Sequence, residues 1–319
     1  MKILQLSGSP VAGVPWMLKD IIHRYSSHEC KTLIGYHVYK DGRTWGKPDG
    51  SLADIRRARE LVAWADVIVL HNGGKHHVVR NLPLGGKRCI CHYHSEPPQV
   101  DRQWEKRGVP AYIIAQGHSL LYPGFPTLPN MVNFDDPALQ PMSRHVDGEI
   151  IIGYAPSNTI DTPQFRKDFP FSSKGWPSTK PVLDRVFKEG LADVRVYRGL
   201  PWRECMEARK PCHIFIDEVV TGSYHRSTLE AGCHGQLAIN ALSEPVRKIV
   251  LGLTGASNVP WLRSSVETLY DELRAVIADR RGLGERMEST RKWMQTYWHP
   301  EALLNRFWLP ALERAPMAR

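Results

Sequence analysis

Residues 213–235 read HIFIDEVVTGSYHRSTLEAGCHG, and the order of residue types in this stretch predicts a strand, a loop and a helix. The apolar run at its start is typical of a buried strand, which ends in the carboxylates Asp217 and Glu218. Gly222 lies in the following loop, where a residue without a side chain permits a tight turn. Because open α/β sheets bind ligands beyond the carboxyl ends of their strands, this stretch indicates a binding site.

The helix in this stretch begins with residues that suit a diphosphate. Ser227 and Thr228 place hydroxyl groups in its first turn, beside the N–H groups that a helix start leaves unpaired. Glu230 follows within a turn, and its carboxylate can accept hydrogen bonds from ribose hydroxyls. The order of parts therefore predicts a nucleotide-diphosphate site.

Strand and helix patterns alternate along the whole chain. Apolar runs that predict strands occupy residues 3–6, 67–70, 88–92, 111–115, 150–154, 194–197 and 213–216. Helical spacing of apolar residues occupies residues 15–25, 52–64, 181–189, 264–281, 283–297 and 301–312. This alternation is typical of parallel strand pairing, so the predicted fold class is α/β with open sheets.

A change in composition divides the chain. Proline, aspartate and serine interrupt the alternation over residues 130–148, which predicts a linker. The predicted organisation is a Rossmann-like domain at 1–145, a second one at 146–297 and a C-terminal helix at 298–319. Residues 159–173 carry three aromatic side chains without strand or helix periodicity, which predicts a loop insertion.

The composition is that of a globular chain of about two domains. The 319 residues are 42% hydrophobic and 24% charged, and no run approaches the roughly 20 apolar residues of a membrane-spanning helix. The opening MKILQLSGSP predicts a first strand and not a signal peptide, so we expect a cytoplasmic protein, in the host cytoplasm if it is viral. The six cysteines are expected to be reduced.

The formal charge of +9 favours a polyanionic partner. Nucleic acid, an anionic membrane surface and phosphorylated ligands all satisfy that description. Charge dispersed over the surface for solubility is the alternative, and the composition does not separate the two.

The turn between the first strand and the first helix is a second candidate for anion binding. It includes Gly8 and Gly13, which let the backbone approach a ligand, and the helix that follows offers its N-terminus. A structural turn without a ligand has the same composition, so both interpretations stay open.

Cysteines and histidines alternate along the predicted strand at 88–92 and just after it. In a strand, residues two apart share a face, so Cys89 and Cys91 are predicted on one face and His92 and His94 on the other. This divides the ligands that zinc would require, and we predict no metal site. His94 is expected instead at the carboxyl end of the strand, as a ligand-binding residue or as a structural histidine.

Taken together, these segments resemble the retaining glycosyltransferase family 4. The resemblance is strongest over residues 150–240 and includes the 213–235 stretch. Five further segments resemble landmarks of the family in the same order along the chain: residues 66–71 (DVIVLH), 128–133 (LPNMVN), 151–158 (IIGYAPSN), 173–175 (SKG) and 197–201 (YRGLP).

The sequence departs from the family pattern in the donor segment. The family has two glutamates eight residues apart, whereas the position eight before Glu230 is Gly222 and the acidic residues come earlier. The loop between Asn158 and Lys174 is long, and Arg166 or Lys167 supplies the family's additional basic residue only if this loop folds back.

The resemblance implies a GT-B architecture, with two Rossmann-like domains facing across a cleft and a C-terminal helix crossing back to the first. It implies transfer of a sugar, with retention of configuration, from a nucleotide-diphosphate sugar, expected to be a UDP-sugar, without a bound cofactor or metal. The implied catalytic residues are His94, Lys174 and Glu230. The implied donor-binding residues are Gly13, Ser157, Asn158, Lys174, Gly199, Leu200, Asp217, Gly222, Tyr224, Arg226, Ser227, Thr228 and Glu230.

The acceptor is expected to bind the first domain, near Lys75, His76, His77 and His118. Double-stranded DNA with a hydroxylated base, as in phage DNA, fits the basic charge through phosphate contacts. A lipid-linked or cell-surface glycan fits it through docking on an anionic membrane. An inactive module that binds a nucleotide sugar or nucleic acid is the alternative of another class.

Overall fold

The computed structural model describes residues 1–37, 44–156 and 162–318. The chain forms two compact units. The first unit comprises Met1–Asn133 together with Pro300–Arg319, and the second unit comprises Phe134–His299.

The first unit contains a parallel sheet in the order β3-β2-β1-β4-β5-β6-β7. Its strands are β1 (Lys2–Ser7), β2 (Glu29–Ile34), β3 (Gly50–Ser51), β4 (Val67–His71), β5 (Arg88–Tyr93), β6 (Ala111–Ile114) and β7 (Thr127–Leu128). Its first two helices are α1 (Val14–Tyr25) and α2 (Ile55–Trp64). The apolar runs of β1, β4 and β5 form strands because both faces of a parallel sheet are covered, which favours continuous burial.

The second unit contains a smaller parallel sheet in the order β12-β11-β10-β8-β9. Its strands are β8 (Ile151–Tyr154), β9 (Asp193–Val196), β10 (Ile214–Glu218), β11 (Leu237–Asn240) and β12 (Leu262–Arg263). Its helices are α3 (Pro163–Asp168), α4 (Trp176–Lys188), α5 (Trp202–Arg209), α6 (Arg226–His234), α7 (Glu244–Thr254), α8 (Leu269–Ala278) and α9 (Arg280–Tyr297). The central strand β10 is buried along its whole length and lies between β8 and β11.

The C-terminal segment belongs to the first unit. It consists of α10 (Pro300–Leu303), a π-helical turn (Leu304–Trp308) and α11 (Leu309–Glu313). Its last residues hydrogen-bond to β5 and the residue before it: the Cys89 N–H donates to the Pro316 carbonyl at 3.0 Å, and the Ala318 N–H donates to that of Lys87 at 2.8 Å. The buried Trp308 donates to the Pro129 carbonyl at 3.2 Å.

The two units divide at 133/134 and 299/300, whereas the sequence placed the divisions at 145/146 and 297/298. Residues between 134 and 145 pack on the second unit through polar contacts. Arg144 donates to the carbonyls of Lys210 at 2.6 Å and Gly235 at 2.8 Å. The Asp136 carboxylate pairs with Arg203 at 3.3 Å. These interactions form only after folding, so the composition of the segment did not reveal them.

The loop predicted at 159–173 is wrong for part of its length, because Pro163–Asp168 forms helix α3. Thr162 caps this helix by accepting a hydrogen bond from the Phe165 N–H at 3.1 Å, and proline occupies its first position. Residues 157–161 lie outside the described ranges. All six cysteines lie in the described ranges, and none is in a disulfide. In the described part of the chain, no helix is both long enough and apolar enough to cross a membrane.

Candidate functional site

The carboxyl end of β10 carries a buried ion pair. Asp217 is fully buried there, and its Oδ1 lies 2.6 Å from the Lys174 ammonium, which itself is only 5% exposed. Burial alone would raise the pKa of Asp217, but the charge of Lys174 holds it well below its usual range. The pair is therefore charged at neutral pH, and Lys174 is fixed immediately before α4.

Helix α6 begins around this ion pair. The second carboxylate oxygen of Asp217 accepts hydrogen bonds from the His225 N–H at 2.5 Å and from the Thr228 hydroxyl at 2.7 Å. Lys174 also donates to the Ser227 hydroxyl. Lys174, Asp217, Ser227 and Thr228, all predicted as donor-binding residues, thus form one hydrogen-bonded network at the start of a helix.

His225 adds an imidazole to this network, with Nδ1 3.5 Å from Asp217 Oδ1. Burial alone would lower the pKa of His225, but the neighbouring Asp217 carboxylate raises it above its ordinary value. Nε2 of the His225 ring forms a hydrogen bond with the Phe171 carbonyl at 2.9 Å. The start of α6 therefore combines Lys174, His225 and the helix dipole, an arrangement that attracts anions.

Glu218 shapes the loop between β10 and α6. Its carboxylate accepts hydrogen bonds from the N–H groups of Val220 at 2.8 Å, Thr221 at 2.6 Å and Ser223 at 3.1 Å. Burial raises its pKa. Gly222 in this loop has φ of +77°, which favours glycine, and a side chain there would lie 3.2 Å from Ser243. Glu218 consequently orders the loop from within.

Glu230 lies at the centre of a second buried network on α6. Its Oε1 accepts a hydrogen bond from the Trp202 indole at 2.8 Å, and its Oε2 accepts one from Arg209 at 2.8 Å. The Arg226 guanidinium forms an ion pair with Oε1 at 3.0 Å. Burial lowers the pKa of Arg226. The carboxylate therefore balances two buried cations.

The remaining predicted donor residues have different surroundings. Tyr224 is fully buried and packs against Trp261, with ring centroids 5.0 Å apart. Gly199 follows β9 with φ of +67°, and Leu200 is partly exposed beside it. Ser157 and Asn158 lie outside the described residues.

Gly13, the predicted donor residue of the first unit, precedes α1 with φ of +78°. A side chain at this position would meet the Trp45 ring at 2.3 Å. The ring therefore covers this glycine, and packing alone accounts for a residue without a side chain there.

A histidine cluster occupies the corresponding strand ends of the first unit. His94 Nε2 lies 2.9 Å from His71 Nδ1, and His71 Nε2 donates to the Gln5 side-chain oxygen at 2.8 Å. The His92 ring lies beside that of His94, with centroids 4.0 Å apart, and it also meets the edge of Trp308. Burial lowers the pKa of His71 to about 3 and those of His92 and His94 well below the usual value.

The predicted division of this segment between two faces is confirmed. Cys89 and Cys91 lie in the hydrophobic core on one face of the sheet. The three histidines lie together on the other face. The sequence did not predict that His71 joins His92 and His94.

The predicted acceptor residues lie in two places in the first unit. Lys75, His76 and His77, together with Arg80 and Asn81, line a surface pocket of about 380 Å³. His118 is buried instead, with its Nε2 3.7 Å from Glu96. In the pocket, Lys75 donates to the Pro98 carbonyl at 2.5 Å, so part of its donor capacity is used internally.

A larger cavity of about 690 Å³ belongs to the second unit. It lies at the ends of β10, β11 and β12, and its lining includes Arg166, Val220, Gly222, Ser243 and Arg263. Helix α3 does fold back towards α4 here, because Arg166 donates to the Ser178 hydroxyl at 3.0 Å. Gly222, a predicted donor residue, is part of the cavity lining.

Sequence reasoning missed the partners that hold the predicted residues in place. Trp202 and Arg209 lie on α5, a helix that the apolar pattern did not indicate. His225 was recognised only as part of the loop. Gln5 and His71 become neighbours of His94 once β1, β4 and β5 are paired, and the available indication was the histidine at the end of β4 and the one directly after β5.

Several solved structures are similar in fold to this chain. An alpha-glucosyltransferase in complex with UDP and a 13-mer DNA has a TM-score of 0.60 at 9% identity, covering 97% of this chain and 98% of that chain. HepE of Anabaena, in complex with UDP and glucose, has a TM-score of 0.56 at 12% identity, and the match covers 97% of this chain and 99% of that chain. Sucrose-phosphate synthase from Thermosynechococcus elongatus has a TM-score of 0.55 at 11% identity, covering 99% and 100%.

These similarities extend over nearly the full length of each chain and confirm the predicted GT-B fold of two parallel α/β domains. No protein-family model matches the chain. No curated protein matches it in sequence either.

Proposed function

We propose that this protein is a retaining glycosyltransferase that transfers a sugar from a UDP-sugar to a hydroxyl group on a base of double-stranded DNA. The observation that carries the proposal is the network of Lys174, Asp217, Ser227 and Thr228 at the start of α6. In a GT-B fold such a network supplies a cation, hydroxyl groups and a helix N-terminus for a diphosphate.

The proposed role of Lys174 follows from its donors. An ammonium group has three N–H donors, and the bonds to Asp217 and Ser227 use two of them. The third donates to the diphosphate of the sugar nucleotide. As the bond between sugar and diphosphate breaks, negative charge grows on the leaving phosphate and the sugar becomes oxocarbenium-like. Lys174 and the dipole of α6 stabilise that charge in a site fixed before the reaction begins.

The acceptor hydroxyl is proposed to attack the anomeric carbon from the face that the diphosphate leaves. Its proton passes to the departing phosphate, so the products are the glycosylated acceptor and UDP. This stereochemistry is the one that the resemblance to family 4 implies. It requires no side chain to act as a covalent nucleophile.

Glu230 is proposed to bind the ribose while it stabilises α6. A carboxylate offers about four lone-pair sites; hydrogen bonds from Trp202 and Arg209 occupy two of them, and the Arg226 guanidinium lies against the group as an ion pair. A site remains for a ribose hydroxyl.

His94 is proposed as the sugar-binding residue of the first unit, because its Nδ1 is buried without a hydrogen-bond partner among the described residues.

DNA is the proposed acceptor, and one of the similar structures supports it. The alpha-glucosyltransferase with the TM-score of 0.60 was solved with UDP and DNA together. The formal charge of +9 and the pocket formed by Lys75, His76 and His77 are consistent with phosphate contacts. A glycan acceptor at an anionic membrane is the second candidate, and the same charge supports it.

A transfer assay tests this proposal. Purified protein is incubated with UDP-glucose, UDP-galactose or UDP-N-acetylglucosamine and with duplex DNA that contains hydroxymethylated or unmodified bases. We expect UDP release and a mass increase of one sugar in the hydroxymethylated DNA, with the anomeric configuration of the donor retained in the product.

The outcomes separate the alternatives. UDP release with lipid-linked glycans but not with DNA would reject the DNA acceptor and keep the glycosyltransferase. Binding of UDP without turnover on either class of acceptor would reject the enzyme and favour an inactive binding module.

A further inference from the structure

We infer that His71, His92 and His94 form a binding site for a zinc-class divalent metal ion in the first unit. Each residue offers one ligand nitrogen, and these nitrogens all lie within 4.8 Å of one another. The site shares His94 with the proposed sugar-binding residues but contains none of the proposed donor residues of the second unit, and the inference does not rest on the proposed function.

The sheet geometry brings the three rings together. His92 and His94 are two residues apart, so their side chains leave the same face. His71 ends β4 and lies opposite His92 in the parallel register of β4 and β5. Two histidines from one strand and a third from its neighbour supply three imidazoles, one of the ligand sets that holds zinc with a further position open.

Gln5 prepares His71 to bind a metal. The Gln5 amide nitrogen faces Cys30 Sγ at 3.6 Å, so its oxygen faces His71 and accepts a hydrogen bond from Nε2. A neutral imidazole carries one proton, so His71 Nδ1 has a free lone pair directed at His94. A hydrogen bond of this kind, which fixes the tautomer and orientation of a ligand ring, is typical of protein metal sites.

The cluster contains polar atoms that hydrogen bonding within the protein leaves unsatisfied. Neither ring nitrogen of His92 has a partner among the described residues, nor does Nδ1 of His94, and all three atoms are buried. Such atoms destabilise the folded state, and natural proteins rarely keep them without an ion or water. A metal ion satisfies one nitrogen of His92 directly.

The distances suit a metal after small movements. Zn–N bonds of about 2.0–2.1 Å in a tetrahedral site place ligand nitrogens about 3.3 Å apart. The His71–His94 distance of 2.9 Å is slightly shorter and the 4.8 Å limit of the cluster is longer, so ring rotations bring all three into place. When His94 Nε2 binds the ion, its proton moves to Nδ1, and the hydrogen bond to His71 is replaced by two metal–nitrogen bonds.

Metal content and cobalt binding test the inference in the wild-type chain. Full-length protein without a polyhistidine tag is purified, analysed for bound metals, stripped with EDTA and titrated with Co²⁺. We expect about one ion per chain, visible absorption bands of four-coordinate Co²⁺ and displacement of Co²⁺ by Zn²⁺. No stoichiometric metal and no visible bands would overturn the inference and leave a metal-free histidine cluster.

Two substitutions locate the site. His92→Gln is expected to abolish stoichiometric binding, and Gln5→Leu is expected to weaken it by about 10–100-fold through loss of the bond to His71. The double variant His76→Gln/His77→Gln removes a stacked pair of a half-buried and an exposed histidine and serves as the matched control that retains metal binding. Unchanged binding in His92→Gln, or its loss in the control, would overturn the assignment.

Stability measurements cover the case in which His92→Gln does not fold. An ion that binds only the folded protein raises its melting temperature. Zn²⁺ is therefore expected to raise the melting temperature of the EDTA-treated wild type and to raise that of Gln5→Leu less. Equal shifts in both proteins would contradict the site. UDP binding measured in EDTA is expected to persist, which separates this inference from the proposed function.

Discussion

The two units carry different polar groups at the carboxyl ends of their parallel strands. In the first unit, the ends of β4 and β5 carry neutral histidines, whose pKa values burial lowers. In the second unit, the end of β10 carries the charged pair of Asp217 and Lys174. Both clusters are buried, so the difference lies in whether a partner of opposite charge is present.

This difference shows what each strand end can bind. A buried cation that is already paired can also bind an anionic ligand. A diphosphate that approaches Lys174 would meet a donor already oriented by Asp217 and Ser227. Neutral imidazoles instead offer lone pairs, which suit a metal ion. The parallel sheet supplies the position, and the charge balance determines the class of ligand.

The largest expected effect comes from breaking the charged pair. Lys174→Met leaves the Asp217 carboxylate buried without its cation, so we expect the free energy of unfolding to fall by about 3–5 kcal/mol and UDP binding to be lost. Urea denaturation and calorimetry measure the two effects. Lys174→Met/Asp217→Asn removes both charges and is expected to recover most of the stability without recovering UDP binding. Recovery of binding in this double variant would show that Lys174 is purely structural.

Glu230 tests the second charged network. Glu230→Ala removes the counter-charge of Arg209 and Arg226, and we expect it to cost about 3 kcal/mol of unfolding free energy. Glu230→Gln keeps hydrogen-bond acceptor capacity and should cost less. Urea denaturation compares them, and equal stability of Glu230→Ala and the wild type would contradict the described network. Because of this cost, Glu230→Gln is the better variant for nucleotide binding.

The sequence predicts the parts of these networks that depend on local patterns, but not the contacts between residues far apart in the chain. The strand at the start of 213–235 and the carboxylates at its end were predictable, because a buried parallel strand reads as a continuous apolar run. Lys174 was predicted from a short motif, residues 173–175, that resembles one of the family. The contact between Arg209 and Glu230 was not predictable, because α5 is a polar helix and its position depends on the whole second unit.

The histidine cluster shows the same limit. Alternation along β5 separated the cysteines from His92 and His94, and the structure confirms this. The addition of His71 and Gln5 required the strand order β1-β4-β5, which a single sequence does not specify. Ring nitrogens without partners are likewise visible only in three dimensions.

The pH dependence of stability sharpens the contrast between the two kinds of histidine. The pKa of His225 is raised in the folded protein by Asp217. Its stabilising contribution is therefore fully present below the unfolded pKa of about 6.5 and is lost as the pH rises through the folded pKa.

We expect the unfolding free energy of the wild type to decrease between about pH 6 and about pH 9 more than that of His225→Gln. The difference amounts to about 1.4 kcal/mol for each unit by which the pKa is raised. Urea denaturation of both proteins across this range measures it. Parallel curves would show that His225 carries no additional proton in the folded state.

The smallest expected effect concerns the surface of the first unit. Lys75→Gln is expected to weaken binding to any duplex DNA modestly and to reduce the slope of log affinity against log salt concentration by about 1. Fluorescence anisotropy with a labelled duplex at several salt concentrations measures this slope. Lys188→Gln, which removes an exposed lysine on α4 of the second unit, serves as the control and should leave the slope unchanged. An identical decrease in both variants would contradict an acceptor site at Lys75.

The central claim is that the second unit binds the diphosphate of a UDP-sugar at the start of α6. Calorimetric titration of UDP into the wild type and into Lys174→Met/Asp217→Asn, both in EDTA, tests it most directly. We expect the wild type to bind UDP and the folded double variant to bind at least about tenfold more weakly, a loss of about 1.4 kcal/mol. Equal affinity in the two proteins, or no binding by the wild type, would contradict it.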